Sequence, residues 1–130
     1  MVVKQTVSHP KRPAAKIDLA VLSLKADGNG KTMTLRVAVT PHDFPGRSDG
    51  TITGYELLDD RSPYLIDRAH LKRYDVVSPK WASNLLNIYT TDGQPLVEYA
   101  TYALPQDGAG SVDVWVEEYW PPFRDVPILR

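Results

Sequence analysis

The sequence predicts an all-β domain whose antiparallel strands form a sandwich or a barrel. Three observations indicate this class. Short runs alternate apolar and polar residues, turn-forming residues separate these runs at intervals of roughly ten residues, and no segment longer than about ten residues keeps a helical period. This spacing predicts about seven strands. A chain of 130 residues is long enough for one domain with its own core.

The first strand pair is predicted within residues 17–40. Residues 17–25 read IDLAVLSLK, and their apolar phase shifts near Leu22, which indicates either a bulge or a strand buried on both faces. Residues 27–30 (DGNG) accept positive φ and predict a hairpin turn. The partner strand, TMTLRVAVT, has the cleanest alternation of the chain. Its predicted core-facing residues are Met33, Leu35, Val37 and Val39.

The middle of the chain is less regular. Residues 41–53 contain two prolines and two glycines and predict a long loop. Residues 54–60 (GYELLDD) predict a short strand. Residues 61–78 predict a loop, a short helical turn around 67–71 and a strand over KRYDVV, and residues 83–91 predict a strand or half-strand.

The last third, from Gln94 to Leu129, predicts a hairpin and a terminal strand. Its two strands read QPLVEYATYALP and SVDVWVEEYW, and the segment QDGAGS between them supplies the turn. The tail PPFRDVPIL is punctuated by proline and supplies the terminal strand.

The charge is uneven along the chain. Residues 1–16 contain four basic residues and no acidic one. We therefore predict a flexible basic N-terminal tail or linker over residues 1–15, followed by the β-sandwich domain over residues 16–130. The alternative is that this basic stretch meets anionic lipid or a polyanion.

Composition excludes several classes of protein. The net charge of −1 argues against a nucleic-acid partner. The absence of cysteine excludes disulfides, thiolate metal sites and a cysteine nucleophile. The sequence has no apolar run of the length that a transmembrane helix needs, and residues 1–16 lack the apolar segment of a signal peptide.

Several segments, taken in order, resemble a known family. They read IDLAVLSLKADGNG, MTLRVAVT, ITGYELLDD, LKRYDVV, EYATYALP, VDVWV and FRDVPIL. Over residues 16–129 this order resembles the immunoglobulin-like domain of actinobacterial envelope lipoproteins, the type found with OmpA-like modules, and is similar to small secreted bacterial immunoglobulin-like antigens. One departure is SPKWASNL, where Trp81 stands in a segment that often contains cysteine in that family.

The resemblance implies an immunoglobulin-like sandwich in a cell-envelope or secreted protein, although a cytoplasmic location stays open. It implies no catalytic residue, cofactor or metal. The partner would be another protein or a neighbouring domain of the same chain.

The titratable residues form no recognisable catalytic or metal-binding motif in the sequence. The three histidines, His9, His42 and His70, are far apart and predicted to lie at the surface. Several carboxylates could pair across strands, as glycoside hydrolysis requires; they are Asp59, Asp60, Glu98, Asp113, Glu117 and Glu118. Because Asp113 and Glu117 alternate with valines, we expect both on the solvent face.

Aromatic residues near the C-terminus are the best candidates for a binding surface. The candidate partner or ligand surface consists of Trp81, Trp115, Tyr119 and Trp120. Trp115 is predicted to share the face of Asp113, opposite the valines. Exposed tryptophan and tyrosine can stack on sugar rings or anchor a protein. The alternative is that Trp115 covers the sheet beneath a loop, or that Trp120 and Phe123 close the end of the sandwich.

Two functions follow from these features. The first is a non-catalytic, immunoglobulin-like interaction or structural module that binds a protein partner or a neighbouring domain. The alternative is a carbohydrate-binding β-sandwich or a small glycan-active enzyme that uses the aromatic residues, with a glycan as its ligand.

Overall fold

The computed structural model describes residues 3–46, 48–58, 62–77 and 88–130. Within these ranges the protein has ten strands and one helical turn. In chain order they are β1 (Val3–His9), β2 (Arg12–Ala26), β3 (Thr32–His42), β4 (Thr51–Thr53), α1 (Gly54–Leu57), β5 (Tyr64–Asp67), β6 (Lys72–Tyr74), β7 (Tyr89–Thr91), β8 (Leu96–Ala103), β9 (Ser111–Trp115) and β10 (Phe123–Pro127). The predicted all-β class is confirmed, and the predicted count of about seven strands was too low.

The strands form two four-stranded sheets and one small pair. The first sheet has the order β1-β2-β3-β8, and the second has the order β10-β9-β5-β6. Strands β4 and β7 form a separate two-stranded sheet. Neighbouring strands in these sheets pair antiparallel, as the hairpin turns in the sequence predicted.

Strand β2 contacts β3 on one side over most of its length. On its other side the neighbour changes from β1, which pairs as far as Val21, to the C-terminal segment. Its register against β3 shifts between Val21 and Ser23, so the bulge predicted near Leu22 is confirmed. Beyond the shift, the N–H of Ala26 donates to Leu129 O at 2.7 Å, and the N–H of Leu129 donates to Leu24 O at 2.8 Å. The C-terminal segment thereby ties the second sheet to the first.

One hydrophobic core lies between the sheets. The four alternating residues of β3 that were predicted to face the core are all fully buried. They belong to a cluster that also contains Leu65 and Val114 of the second sheet. Tyr102 of β8 is buried in the same core, its hydroxyl donates to Pro63 O at 3.0 Å, and burial raises its pKa.

The expected flexible tail is corrected by the structure for residues 3–15. This stretch forms β1 and the start of β2, which pair from Val3↔Val21 to His9↔Arg12. Val7 and His9 face inward, while Lys4, Thr6 and Ser8 face water. The period of two is present in the sequence, but lysine, serine and histidine obscure it because their polarity resembles that of a tail.

The segment after β4 also differs from the sequence prediction. Residues 54–57 form α1 rather than a strand, and Thr53 caps it by accepting the N–H of Glu56 at 3.2 Å. The turn predicted as helical around 67–71 is instead the β5–β6 connection, where Leu71 has φ of 54°. In the region predicted as a strand over 83–91, residues 89–91 form β7, and residues 83–87 lie outside the described ranges.

Candidate functional site

The outer face of the first sheet is hollow along one row. Lys4, Ala20, Ala38 and Val97 lie opposite one another across the four strands. Because the two central positions are alanines, no large side chain fills the middle of this row. The result is a groove of about 630 Å³. We call it the sheet-1 groove; it is lined by Lys4, Gln5, Thr6, Asp18, Leu19, Ala20, Leu22, Ala38, Thr40 and Pro95.

A hydrogen-bonded carboxylate forms one side of the sheet-1 groove. Thr6 Oγ1 donates to Asp18 Oδ1 at 2.7 Å, and His42 Nε2 donates to Asp18 Oδ2 at 2.7 Å. The hydrogen bond from Thr6, with a smaller contribution from His42, holds the pKa of Asp18 below its usual value. This side of the groove is therefore already ionised and partnered at neutral pH.

Two large apolar side chains stand beside the groove on β8. Val97 is 41% exposed and Tyr99 is 42% exposed. Val97 lies opposite Ala38, and Tyr99 lies opposite Arg36. Among the strands of the first sheet that the structure describes, β8 is outermost. Apolar surface therefore continues from the groove to the border of the sheet.

The outer face of the second sheet carries an aromatic pair and a cation. Tyr64 of β5 lies opposite Trp115 of β9, with ring centroids 5.8 Å apart and an interplanar angle of 10°. Arg73 Cζ of β6 lies 4.1 Å from the centroid of the Tyr64 ring, within the range of a cation–π interaction. We call these three residues the aromatic stack. Trp115 lies two residues beyond Asp113 on the same face, as the alternation predicted.

Asp113 is the centre of an ion-pair cluster on that face. Its side chain is only 3% exposed, and it pairs with Arg68 Nε at 2.7 Å and Arg124 Nη1 at 2.9 Å. The N–H of Asp125 also donates to Asp113 Oδ1 at 3.0 Å. Burial raises the pKa of Asp113, but the Asp125 N–H and the two guanidinium groups outweigh this and bring the pKa below its usual value.

The expectation that Asp113 lies on the solvent face is therefore corrected. It is on the outer face, but Arg68 and Arg124 cover it. Asp125 reaches it because β10 is irregular between Phe123 and Val126, where Asp125 adopts a positive φ of 52°. Arg68 also pairs with Asp125, at 3.0 Å.

A second titratable group lies at the end of the second sheet where β5 turns into β6. His70 Nδ1 donates to Asp67 Oδ2 at 2.7 Å and lies 3.9 Å from Asp107 Oδ2. Lys72 Nζ donates to Asp107 Oδ2 at 2.8 Å, and this bond lowers the pKa of Asp107 and raises that of Lys72. We call Asp67, His70 and Asp107 the imidazole–carboxylate cluster. A polar hollow of about 350 Å³ is lined by both Asp67 and Asp113.

The aromatic candidates from the sequence lie in different surroundings. Trp120 is 5% exposed, and its Nε1 donates to Ser8 O at 3.0 Å, which fixes β1 to the end of the second sheet. Phe123 is also buried, so neither of these two residues offers exposed surface to a ligand. Tyr119 is half-exposed and packs edge-on against Trp120. Trp81 lies outside the described residues.

Two other titratable predictions change with the structure, those for Glu117 and His9. Glu117 is buried rather than exposed, and Glu98 is also buried. His9 is buried as well, and its Nδ1 accepts the N–H of Lys11 while Nε2 lies 2.8 Å from Glu56 O. Since Nδ1 accepts, the proton of the neutral ring is on Nε2. His42 and His70 are partly exposed, as predicted.

Of the remaining predicted carboxylates, Glu118 is exposed, and Asp59 and Asp60 lie outside the described residues.

Comparison with known protein families, with curated proteins and with solved structures found no match for this chain. In the ranges that the structure describes, no helix is long and apolar enough to cross a membrane.

Proposed function

We propose that this chain is a non-catalytic interaction module that binds a polypeptide partner in the sheet-1 groove. In this proposal the all-β fold is an immunoglobulin-like sandwich from a bacterial envelope or secreted protein, in line with the order of its strand segments. The partner is a segment of another protein or of a neighbouring domain, and both would offer the same chemistry.

The observation that carries the proposal is the alanine row of the first sheet. A hollow bordered by half-exposed apolar side chains gains free energy when a partner displaces its water, because this removes apolar surface from water. Val97 lies opposite Ala38 and is exposed on the same face as the hollow, and Tyr99 follows two residues further along β8. Aromatic side chains at such positions are typical of the residues that dominate protein interfaces.

Charge indicates which kind of segment fits. Lys4 lines the sheet-1 groove, and Arg36 lies opposite Tyr99 on the same face. Asp18, the acidic residue among the described residues that line the groove, already accepts hydrogen bonds from Thr6 and His42. The complementary partner is therefore an extended segment with apolar side chains for the hollow and a carboxylate for these cations.

A peptide selection tests this proposal. A phage-displayed library of random dodecapeptides is selected against the full chain, and the enriched peptides are titrated into purified variants. Ala38→Arg places a long charged side chain in the hollow, so affinity should fall at least about tenfold. Ala103→Arg is the matched control, since Ala103 is exposed on the neighbouring strand β8 of the same sheet but outside the groove lining.

The two variants separate the outcomes once circular dichroism shows that both are folded. Loss in Ala38→Arg with retention in Ala103→Arg supports the groove. Peptides that bind both variants equally, or a selection that enriches nothing over an unrelated β-protein, would reject it.

The aromatic stack supports a second candidate, a glycan ligand. Trp115 and Tyr64 lie beside the charged Asp113 cluster, and sugars bind through aromatic faces with polar neighbours. A glycan array would identify the ligand, and Trp115→Ala should abolish binding while the fold is retained. Absence of any glycan binding at millimolar concentration rejects this candidate.

Glycan hydrolysis at the aromatic stack has less support than glycan binding. The carboxylate closest to Trp115 along β9 is Asp113, whose pKa is lowered by a backbone N–H and two arginines. A general acid for glycoside cleavage needs a raised pKa, so Asp113 is poorly suited to donate a proton at neutral pH.

A further inference from the structure

We propose that Asp67, His70 and Asp107 form a binding site for a first-row divalent cation, with Zn²⁺ as the best match. In the part of the chain that the structure describes, this is the only group of three such side chains whose ligating atoms converge, with all of them within 4.8 Å of one another. The site lies on the second sheet and is separate from the sheet-1 groove.

The distances are close to those of a bound ion. Zinc lies about 2.0–2.2 Å from nitrogen and oxygen ligands, so tetrahedral ligands are roughly 3.3 Å apart. His70 Nδ1 is 2.7 Å from Asp67 Oδ2 and 3.9 Å from Asp107 Oδ2. These two separations bracket the tetrahedral value, and the third, between the two carboxylates, is no more than 4.8 Å.

Backbone groups orient both carboxylates in the same way. The N–H of His70 donates to Asp67 Oδ1 at 3.2 Å, and the N–H of Ala109 donates to Asp107 Oδ1 at 3.2 Å. In each case Oδ1 is held by the backbone, and Oδ2 is the atom directed to the imidazole. Hydrogen bonds of this kind hold metal-ligating carboxylates in a fixed orientation.

The ammonium group of Lys72 lies beside this cluster, where it competes with a metal ion for Asp107. Its Nζ lies 2.8 Å from Asp107 Oδ2, one of the proposed ligand atoms, and its side chain is about half exposed. A surface ion pair of this kind contributes little to stability. A divalent ion can therefore displace the ammonium group into water, and it replaces the proton that His70 Nδ1 donates to Asp67.

The ligand types select the class of ion. An imidazole nitrogen with two carboxylates suits zinc and its neighbours, whereas calcium and magnesium prefer sites built from oxygen alone. Three protein ligands leave a fourth position for water on a tetrahedral ion.

Calorimetric titration of the full chain, free of any polyhistidine tag, with zinc chloride tests the site. We expect one zinc ion per chain, and at least about tenfold weaker binding in His70→Ala and in Asp107→Asn. Lys72→Met should bind zinc more tightly because no ammonium group competes for Asp107. Asp67 is 3% exposed and supports the β5–β6 turn, so its substitution is a secondary variant.

His42→Ala is the matched control. His42 contacts Asp18 at the same 2.7 Å, but among the described residues this pair does not belong to a group of three ligands. Zinc binding should be unchanged in this variant. Equal weakening in His42→Ala and His70→Ala would show adventitious binding to surface histidines, and absence of binding at millimolar zinc would also overturn the proposal.

Discussion

The two outer faces of this molecule are built in opposite ways. The first sheet contains long strands, with fifteen residues in β2 and eleven in β3, and its outer face has alanines at the centre. The second sheet contains short strands, with four residues in β5 and five in β9, and its outer face is covered by an aromatic stack and ion pairs.

This difference indicates where each face can bind. A partner that covers the second face must desolvate charges that already have partners, which costs free energy. A partner that covers the first face removes apolar surface from water and displaces no described ion pair at Ala20, Ala38 or Val97. The first face therefore suits a polypeptide, while the second suits small ligands or ions at its edge.

The largest expected contrast is between one aspartate on each face. Asp113→Ala leaves Arg68 and Arg124 without their shared carboxylate, and it should destabilise the fold by about 2–3 kcal/mol because Asp113 is buried but both arginines are half-exposed. Asp18→Ala removes an exposed pair and should cost less than about 1 kcal/mol. Urea unfolding midpoints measure both losses, and equal losses would remove the distinction between the faces.

A smaller contrast is expected between one aromatic residue on each face. Trp115→Ala loses the contact with Tyr64 and part of its buried surface, so about 1–2 kcal/mol of stability should be lost. Tyr99→Ala should change stability by less than about 0.5 kcal/mol because its ring is exposed. Thermal unfolding of the two variants checks this order, and a larger loss in Tyr99→Ala would reverse the assignment of structural and available surface.

The smallest expected effect is a pH dependence that belongs to the second face. The folded pKa of Asp113 lies below its unfolded value of about 3.9. Its contribution is therefore present above about pH 4 and is lost as the pH falls through the folded pKa. Because solvent reaches both arginines, the stability lost on acidification should be smaller than the stability lost in Asp113→Ala or in Trp115→Ala.

Urea unfolding from neutral pH to pH about 3 measures this effect. The wild-type protein should lose more stability over this range than Asp113→Asn. Identical pH profiles would show that the Asp113 cluster does not contribute in this way.

The sequence predicted those parts of the fold that depend on local pattern. The alternation of Met33, Leu35, Val37 and Val39 identified β3 and its core face, and the phase shift near Leu22 identified the bulge. Both features follow from the period of two in a strand. The N-terminal strand was missed because its inward-facing row contains polar residues, Gln5 and His9, which hide the alternation.

The binding features depend on contacts that local pattern does not encode. Asp113 was assigned to solvent because its burial comes from Arg68 and Arg124, which belong to other strands and turns. The Asp67–His70 spacing is visible in the sequence, but Asp107 joins it only through the fold. The groove likewise arises because Ala20 and Ala38 meet across two strands.

The most direct test of the account is an NMR titration of an enriched peptide into the full isotope-labelled chain. We predict that the backbone amide signals of Ala20, Ala38 and Val97 shift, while those of Tyr64 and Trp115 do not. Peptide binding in the sheet-1 groove would be contradicted if the signals of Tyr64 and Trp115 shifted. The same holds if the signals of Ala20, Ala38 and Val97 stayed in place.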